Sequence, residues 1–219
     1  MGGIILIFID AATDEAFDMV NHHAFVAGIT TNPTLLRRDC PHTGMVDMVQ
    51  RLQQLDGLHF VQGSLRDTRW IADINRLAQN GDVDRAKFVI KLPWAPLEAS
   101  TIARDLRSSG WTICATAVYS LAQYVAATET DVEYAAMYFD RQRQANEDAA
   151  NALASLSAYR RRWDGPQILV ASLKSSDDVN LAFQAGADHI TLPERVFHEF
   201  FATSFPHDDM SRFETDFTR

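Results

Sequence analysis

The sequence predicts an α/β protein, a (β/α)8 TIM barrel built as one domain over residues 1–219, with an additional C-terminal helix at about 208–218. Short apolar segments alternate eight times with longer amphipathic segments, and no Pro-, Gly- or Ser-rich linker interrupts them. Buried strands joined by helices are typical of parallel sheets, and eight such units can close a barrel. A doubly wound open sheet is the structural alternative, but no GxGxxG or GxxxxGK[ST] motif follows a predicted strand.

The predicted strands are short apolar runs, many of them rich in β-branched residues. Residues 4–9 are the clearest example, because every side chain in this run is apolar. A strand that is apolar on both faces is typical of a parallel sheet covered by helices. The eight predicted strands are 4–9, 25–29, 58–62, 88–92, 111–116, 132–137, 168–172 and 189–192.

The predicted helices are the longer segments, in which apolar residues recur every three or four positions. In one of them Met45, Met48, Val49 and Leu52 fall on a single helical face. Glycines follow two others and act as stop signals. The predicted helices are 13–22, 45–55, 67–79, 96–108, a short one from about 120, 143–163, 177–185, one from about 194, and 210–217.

Composition and charge exclude several classes of function. The chain carries 20 basic and 29 acidic residues, a net charge of −9, which disfavours general binding to nucleic acid or to an anionic membrane. The two cysteines, Cys40 and Cys114, make neither a disulfide framework nor a CxxC pair. The first apolar run ends at Asp10 without a basic flank, so we expect no signal peptide and no membrane span. These features indicate a cytoplasmic protein.

Lys91 is the most conspicuous polar residue, because it lies inside an apolar predicted strand. Only three of the 20 basic residues are lysine, and Lys91 sits within the run FVIKLPW. Burial disfavours an ammonium ion, so an amine in this setting is available as a nucleophile that forms a Schiff base with a ketone. The alternative is a strand-end lysine that extends to solvent.

Active sites of such barrels lie at the carboxyl ends of the strands, so polar residues at these ends are the candidate site residues. No HExxH or HxH metal motif and no GxSxG elbow accompanies them, and we expect no metal and no cofactor. The strand-end residues are Asp10, Thr30, Asn32, Gln62, Ser64, Lys91, Thr116, Tyr119, Tyr138, Arg141, Ser172, Lys174 and Thr191.

Five sequence blocks, in order along the chain, resemble the transaldolase family. Residues 28–34 read GITTNPT, similar to its G-[VI]-T-T-N-P-[ST] signature, and 91–93 read KLP, where the family has its Schiff-base lysine. Residues 116–119 (TAVY), 171–174 (ASLK) and 190–193 (ITLP) resemble later family blocks. The chain length is similar to that of the small subfamily that contains fructose-6-phosphate aldolase.

The resemblance implies a Schiff-base aldolase that acts on a sugar phosphate, and it assigns a role to each matching residue. Lys91 would be the nucleophile, and Arg141 and Ser172 would bind the phosphate of the acceptor aldehyde. It also implies a homo-oligomer, a ring-like decamer with exchanged C-terminal helices. Asp10 and Asn32 would hold the hydroxyls of the dihydroxyacetone unit, and Thr30 would be a further substrate-binding residue. The residues that would position the water or hydroxyl that moves the proton are Gln62, Thr116 and Tyr138.

Within the resemblance, Gln62 and Tyr138 favour an aldolase, because transaldolases tend to carry Glu and Phe at these positions. Other blocks depart from the family pattern: residues 135–141 read AAMYFDR, and Asp140 places a negative charge next to Arg141 in the chain. The acceptor could therefore be another phosphorylated or sulfonated sugar. A transaldolase remains the main alternative. A non-catalytic sugar-phosphate-binding barrel is the alternative from another class, and an isomerase would need a strand-end Glu or His base.

Each candidate residue also has a purely structural interpretation. Asp10 could cap a helix, and Asn32 before Pro33 could be a turn residue. Thr116 could fill the sheet, and Tyr138 could be a half-buried aromatic with a hydrated hydroxyl. The same reasoning makes Arg141 a solvated surface residue and Ser172 a small packing residue, and it leaves Lys174 as a surface or phosphate-attracting charge.

Overall fold

The fold is a closed barrel of eight parallel strands. The computed structural model describes residues 4–145, 147–202 and 207–217. The strands pair in chain order, and the first strand also pairs with the last, which closes the sheet. This closure confirms the predicted (β/α)8 TIM barrel and excludes the open-sheet alternative. The strands β1 to β8 are Ile7–Asp10, Val26–Thr30, His59–Gln62, Phe88–Pro93, Thr112–Val118, Tyr134–Tyr138, Gln167–Ala171 and His189–Leu192.

Helices surround the barrel and connect its strands. Within the described ranges no helix is both long and apolar enough to cross a membrane. The α-helices found in those ranges, α1 to α11, are Asp14–His22, Pro33–Asp39, Met45–Leu52, Arg69–Asn80, Pro96–Ser108, Leu121–Glu129, Phe139–Gln144, Ala149–Trp163, Ser176–Gln184, Glu194–Phe201 and His207–Phe217.

The lower half of the barrel interior is apolar and tightly packed. Phe8, Phe60 and Tyr134 meet edge to face there, with ring centroids 5.0 and 5.1 Å apart. Side chains two positions apart on a strand point to the same face. The residue two positions beyond Phe8 is Asp10, and the residue two positions beyond Val89 is Lys91. An apolar floor thus supports a polar layer at the carboxyl ends of the strands.

Two helix predictions were wrong in detail. The sequence predicts no helix directly after Asn32, which could be a turn residue before Pro33, but Asn32 caps a helix, α2, with Pro33 at its first position. The single helix predicted at 143–163 is two helices, α7 and α8. Asp148 begins α8, because its Oδ1 accepts a hydrogen bond from the Asn151 backbone N–H at 3.0 Å. A capping aspartate starts a new helix rather than continuing the previous one.

The aromatic C-terminal segment only partly forms an exposed surface. Phe197 is buried, and Phe201 packs against it and against Phe25 at ring-centroid distances of 4.7 and 4.9 Å. Phe213 and Phe217, one helical turn apart on α11, are 69% and 90% exposed. Phe205, another phenylalanine of this segment, lies outside the described residues.

Candidate active site

Lys91 lies on β4 inside the barrel mouth and is 2% exposed. Its Nζ donates a hydrogen bond to the backbone carbonyl oxygen of Thr31, at 2.9 Å. The alternative interpretation, in which Lys91 extends to solvent, is therefore wrong. The side chain ends in a cavity at the carboxyl ends of the strands, where a small ligand can reach the amine.

Asp10 ends β1 and belongs to a chain of three polar side chains. Its Oδ1 accepts a hydrogen bond from the Thr30 hydroxyl at 2.9 Å, and the Thr30 and Thr191 hydroxyl oxygens are 2.6 Å apart. Burial raises the pKa of Asp10, although Lys91 and the Thr30 hydrogen bond oppose the rise. The helix-cap alternative for Asp10 is wrong, because Thr13 caps α1.

Asn32 combines a structural and a site position. Its Oδ1 accepts hydrogen bonds from the backbone N–H groups of Thr34 and Leu35, both at 3.0 Å, and so caps α2. The same side chain lines the cavity that Lys91 enters. Because the oxygen holds the helix, the amide nitrogen is the part of Asn32 that can donate a hydrogen bond to a ligand.

The cavity around Lys91 has a volume of about 170 Å³. At roughly 30 Å³ for each water molecule, this space suits a compact ligand of a few carbon atoms. Polar groups surround it on most sides, with one aliphatic side chain from α2. The lining residues are Asp10, Asn32, Thr34, Leu35, Lys91, Tyr138, Arg141, Ala171, Ser172 and Lys174.

Tyr138 lies at the end of β6 and is 9% exposed. Its hydroxyl oxygen accepts a hydrogen bond from the Thr116 hydroxyl at 3.3 Å, and its ring meets Tyr119 edge to face at 6.2 Å. The structure thus joins two of the three residues that the resemblance places around a shared water.

The third residue of that group, Gln62, has a different setting. It is the register partner of Lys91 on the neighbouring strand β3. It lines a second and larger cavity of about 620 Å³, together with Pro33, Trp70 and Pro93. Gln62 is therefore adjacent to β4, the strand that carries Lys91, but it borders the second cavity.

Arg141, on α7, is exposed at the mouth of the small cavity. Its guanidinium carbon lies 4.8 Å above the centre of the Tyr138 ring, within the range of a cation–π contact. The carboxylate of its neighbour Asp140 is directed elsewhere: it accepts hydrogen bonds from Arg143 at 3.1 Å and from Gln144 at 2.8 Å. The acidic neighbour noted in the sequence therefore does not occupy the guanidinium of Arg141.

Ser172, directly after β7, has a backbone φ of +63°. This left-handed conformation is uncommon for serine, and such strain is often found at functional sites. Ala117 on β5 has a similar φ of +61°, at a register shift between β5 and β6. Ser172 and Lys174 both line the cavity. The mouth is thus bordered by Arg141 on α7 and by Ser172 and Lys174 on the loop after β7.

Sequence reasoning missed some members of this site. Thr34 and Leu35 line the cavity because α2 begins directly after Asn32, and the Asn-Pro pair was the available signal for that helix start. Thr191 appeared only as a strand-end residue, but its hydroxyl extends the Asp10–Thr30 chain. Over the described ranges, no group of three or more His, Cys, Asp or Glu side chains could hold a metal ion.

Fold and site together define a (β/α)8 barrel with a lysine-centred polar cavity at the carboxyl ends of its strands. A profile of the transaldolase/fructose-6-phosphate aldolase family matches residues 7–218. The chain belongs to this family and is an enzyme of the aldolase and transaldolase type.

Two relatives support the assignment. A probable fructose-6-phosphate aldolase of Streptococcus pneumoniae is 30% identical over 186 residues, which cover 81% of this chain and 80% of the relative. A probable transaldolase of Nitrosopumilus maritimus is 27% identical over 194 residues, which cover 87% of this chain and 84% of that protein. The chain is therefore similar to proteins named for each of the two activities.

Solved structures show the same fold at low identity. Inosine 5′-monophosphate dehydrogenase of Legionella pneumophila superposes with a TM-score of 0.63 at 13% identity, over 88% of this chain and 58% of that one. The EAL-domain protein YkuI of Bacillus subtilis gives a TM-score of 0.55 at 12% identity, over 83% and 50% of the two chains. The chain spans about half the length of these proteins, and the likeness concerns the barrel alone.

Proposed function

We propose that the protein is a class I aldolase that cleaves or forms a ketose phosphate, such as fructose 6-phosphate, from dihydroxyacetone and an anionic aldehyde such as glyceraldehyde 3-phosphate. One observation carries this proposal: the Lys91 amine is buried in a cavity that also contains Asp10 and has Arg141 at its mouth. The amine can act as the nucleophile, the carboxyl group as the acid or base, and the guanidinium as the anion-binding group of such a reaction.

In the cleavage direction, the neutral Lys91 amine attacks the ketone carbon C2. Loss of water gives a protonated Schiff base, which withdraws electrons from the neighbouring carbon–carbon bond. A base then removes the proton of the C4 hydroxyl, the C3–C4 bond breaks, and the aldehyde leaves. The electron pair of that bond becomes the enamine on Lys91. Protonation of C3 and hydrolysis release dihydroxyacetone and restore the amine.

Asp10 and Asn32 are placed to hold the donor. Because burial raises the pKa of Asp10, its carboxyl can take up and return a proton closer to neutral pH than an exposed aspartate. The Thr30 hydrogen bond fixes the orientation of the Asp10 carboxyl group. The Asn32 amide nitrogen donates to a donor hydroxyl, since the Asn32 oxygen is already engaged with α2.

Tyr138 and Thr116 supply the proton route for the enamine. Gln62, which the resemblance adds to this group, borders the second cavity beside β4. The Thr116 hydroxyl donates to the Tyr138 oxygen, which leaves the phenolic proton available to the cavity. Arg141 and Ser172 bind the anionic end of the aldehyde, and a guanidinium fork suits both phosphate and sulfonate. Lys174 adds a second positive charge beside them.

The second candidate function is that of a transaldolase, which passes the dihydroxyacetone unit to another sugar phosphate or to a related sulfonated sugar. The name of the Nitrosopumilus relative favours this reaction. The Tyr138 hydroxyl at the cavity favours the aldolase, because it gives the enamine an acid that can release the donor. A non-catalytic sugar-phosphate-binding barrel, the third possibility, would form no covalent adduct at Lys91.

Reductive trapping tests the proposal. The protein is treated with dihydroxyacetone or fructose 6-phosphate and borohydride, and its peptides are mapped by mass spectrometry. We expect a stable adduct on Lys91 and none in Lys91→Met. Lys87, directly before β4, donates to the carbonyl oxygens of Gln53 and Leu55, so Lys87→Met is a matched control that keeps the adduct. An adduct on Lys87 or Lys174, or no adduct, would refute the proposal.

A further inference from the structure

An ionic contact outside the cavity, between Arg143, whose side chain is 41% exposed, and the buried carboxylate of Asp178, links the elements that carry the proposed anion-binding residues. Arg141 lies on α7, a helix of six residues. Such a short helix has little stability of its own and takes its position from tertiary contacts. Two residues further along α7, Arg143 makes the contact that ties the helix to the opposite loop.

The partner of Arg143 is Asp178 on α9, whose side chain is 3% exposed. The guanidinium donates to both carboxylate oxygens, at 2.7 and 3.1 Å. The second of these oxygens also accepts a hydrogen bond from the backbone N–H of Lys174, at 2.8 Å. One buried carboxylate therefore joins α7 to the loop after β7.

A second contact joins the same two elements. The backbone N–H of Asp140 donates to the carbonyl oxygen of Ser172 at 3.3 Å, while the Asp140 carboxylate accepts from Arg143. The contacts thus close a ring through Ser172, Asp140, Arg143, Asp178 and Lys174. Its two loop members, Ser172 and Lys174, line the cavity.

The left-handed backbone at Ser172 needs this kind of support. A non-glycine residue keeps such a conformation when surrounding structure enforces it. The Asp140 hydrogen bond fixes the Ser172 carbonyl from one side, and Asp178 fixes Lys174 from the other. Loss of the ionic contact would let α7 and the loop move apart.

We propose that the Arg143–Asp178 ion pair, here called the clamp, is a positioning device that sets the spacing between Arg141 and Ser172 and so determines affinity for an anionic acceptor. The inference rests on the proposed function and extends it to two residues that touch no substrate. Bidentate arginine–carboxylate contacts fix geometry as well as charge, which suits this role.

Steady-state kinetics with charged and neutral acceptors test the clamp. In Arg143→Met, we expect the KM for glyceraldehyde 3-phosphate to rise about 10-fold, since a small misplacement of binding groups is costly. The kcat with this acceptor should change less than about 2-fold. The KM for neutral glyceraldehyde should also change less than about 2-fold, because this acceptor makes no ionic contact with Arg141. An equal rise in KM for both acceptors would overturn the clamp.

A double variant separates positioning from general damage. If Arg143 acts through Arg141, Arg143→Met has no further effect on the phosphate preference once Arg141→Ala is present. Fully additive effects would contradict this. Arg143→Lys keeps the charge but loses the bidentate contact, so its KM for glyceraldehyde 3-phosphate should be intermediate. This variant replaces Arg143→Met in the test if Arg143→Met does not fold. Arg107→Met is the matched control, because Arg107 pairs with Asp131 and Glu133 away from the cavity.

Inorganic phosphate gives a readout that needs no turnover. At about five times its Kd, phosphate should raise the Tm of the wild type by about 2–4 °C. The shift should vanish in Arg141→Ala and shrink in Arg143→Met. If the wild type shows no aldolase activity but the phosphate-induced Tm shifts follow this pattern, the proposed function is rejected and the role of the clamp is supported. An active wild type whose phosphate shift survives in Arg143→Met would reject the clamp alone.

Discussion

The Thr116 hydroxyl donates a hydrogen bond to the Tyr138 hydroxyl oxygen at 3.3 Å, across the carboxyl ends of β5 and β6. This contact orients the phenol, because an oxygen that accepts from Thr116 directs its own proton elsewhere. Tyr138 also lines the cavity that contains Lys91. The pair therefore presents a positioned proton donor to any intermediate held on the lysine.

Tyr138→Phe should change the fate of the donor unit. We expect the release of free dihydroxyacetone to fall at least ~10-fold, since a positioned acid contributes ~10²–10⁴-fold to proton transfer. Transfer to an added aldehyde should be retained, because the enamine then persists longer. Parallel assays of ketone release and transfer product measure both. Tyr119→Phe, on the ring that packs against Tyr138, is the control and should affect neither. If Tyr138→Phe releases dihydroxyacetone at the wild-type rate, the Tyr138 hydroxyl has only a structural role.

Arg141→Ala should weaken charged acceptors selectively. A charged, bidentate contact contributes roughly 1.5–3 kcal/mol, which corresponds to a rise in KM of about 10- to 150-fold for a phosphorylated aldehyde. Neutral aldehydes should show little change. Initial-rate measurements over a range of acceptor concentrations decide the matter. Arg76→Ala removes an exposed arginine that pairs with Asp73 on α4 and serves as the control. Equal effects on charged and neutral acceptors would assign Arg141 to the solvated surface.

His59 should make stability fall in mild acid. Its Nδ1 accepts a hydrogen bond from the Ile29 backbone N–H at 3.2 Å, and burial lowers its pKa from 6.5 to about 4. Between these two pH values, His59 is therefore protonated in the unfolded chain but largely neutral in the folded chain. This stabilisation is complete above pH 6.5 and is lost as the pH falls towards 4, with about 2 kcal/mol lost by pH 5.

Urea denaturation at pH 7.5 and pH 5 measures this effect. His59→Asn keeps a hydrogen-bond acceptor near the Ile29 N–H but does not titrate. The difference in free energy of unfolding between the two pH values should therefore be smaller in His59→Asn than in the wild type. An identical pH dependence in both proteins would contradict the assignment.

The exposed aromatic face of α11 should mediate self-association. Phe213 and Phe217 lie one turn apart and are largely exposed, which is unusual for a free surface. We expect the wild type to be an oligomer in light scattering at micromolar concentration, and the double variant Phe213→Ser/Phe217→Ser to dissociate. Leu97→Ser, an exposed apolar residue on α5, is the control. A monomeric wild type would contradict both this prediction and the decamer that the resemblance implies.

The barrel could be predicted from sequence because its strands are short apolar runs with helical segments between them. The strand from His189 to Leu192 and the helix from Pro96 to Ser108 match their predicted bounds. The break between α7 and α8 was missed, because residues 143–148 are polar apart from Ala145 and contain no Gly or Pro, so only the Asp148 cap marks the restart. Short helices such as α2 are specified by their caps, which periodicity does not detect.

The candidate residues that line the Lys91 cavity could be identified from their positions at strand ends, but their contacts could not. That Asp140 turns towards Arg143 depends on the course of α7, which brings Asp178 into reach. The left-handed backbone of Ser172 likewise depends on tertiary contacts and leaves no local sequence signal. Gln62 was placed by its strand, yet the larger cavity it borders is formed by residues distant in the chain.

Asn32 both caps a helix and lines the cavity, and this has a consequence for protein engineering. Its oxygen caps α2, and the same residue lines the cavity that contains Lys91. Aspartate at this position would preserve the helix start but replace a donor with an acceptor, and alanine would sacrifice both. A library that varies residue 32 therefore selects on folding yield and ligand preference at once. Changes in donor selectivity should be sought at neighbouring positions that leave this amide intact.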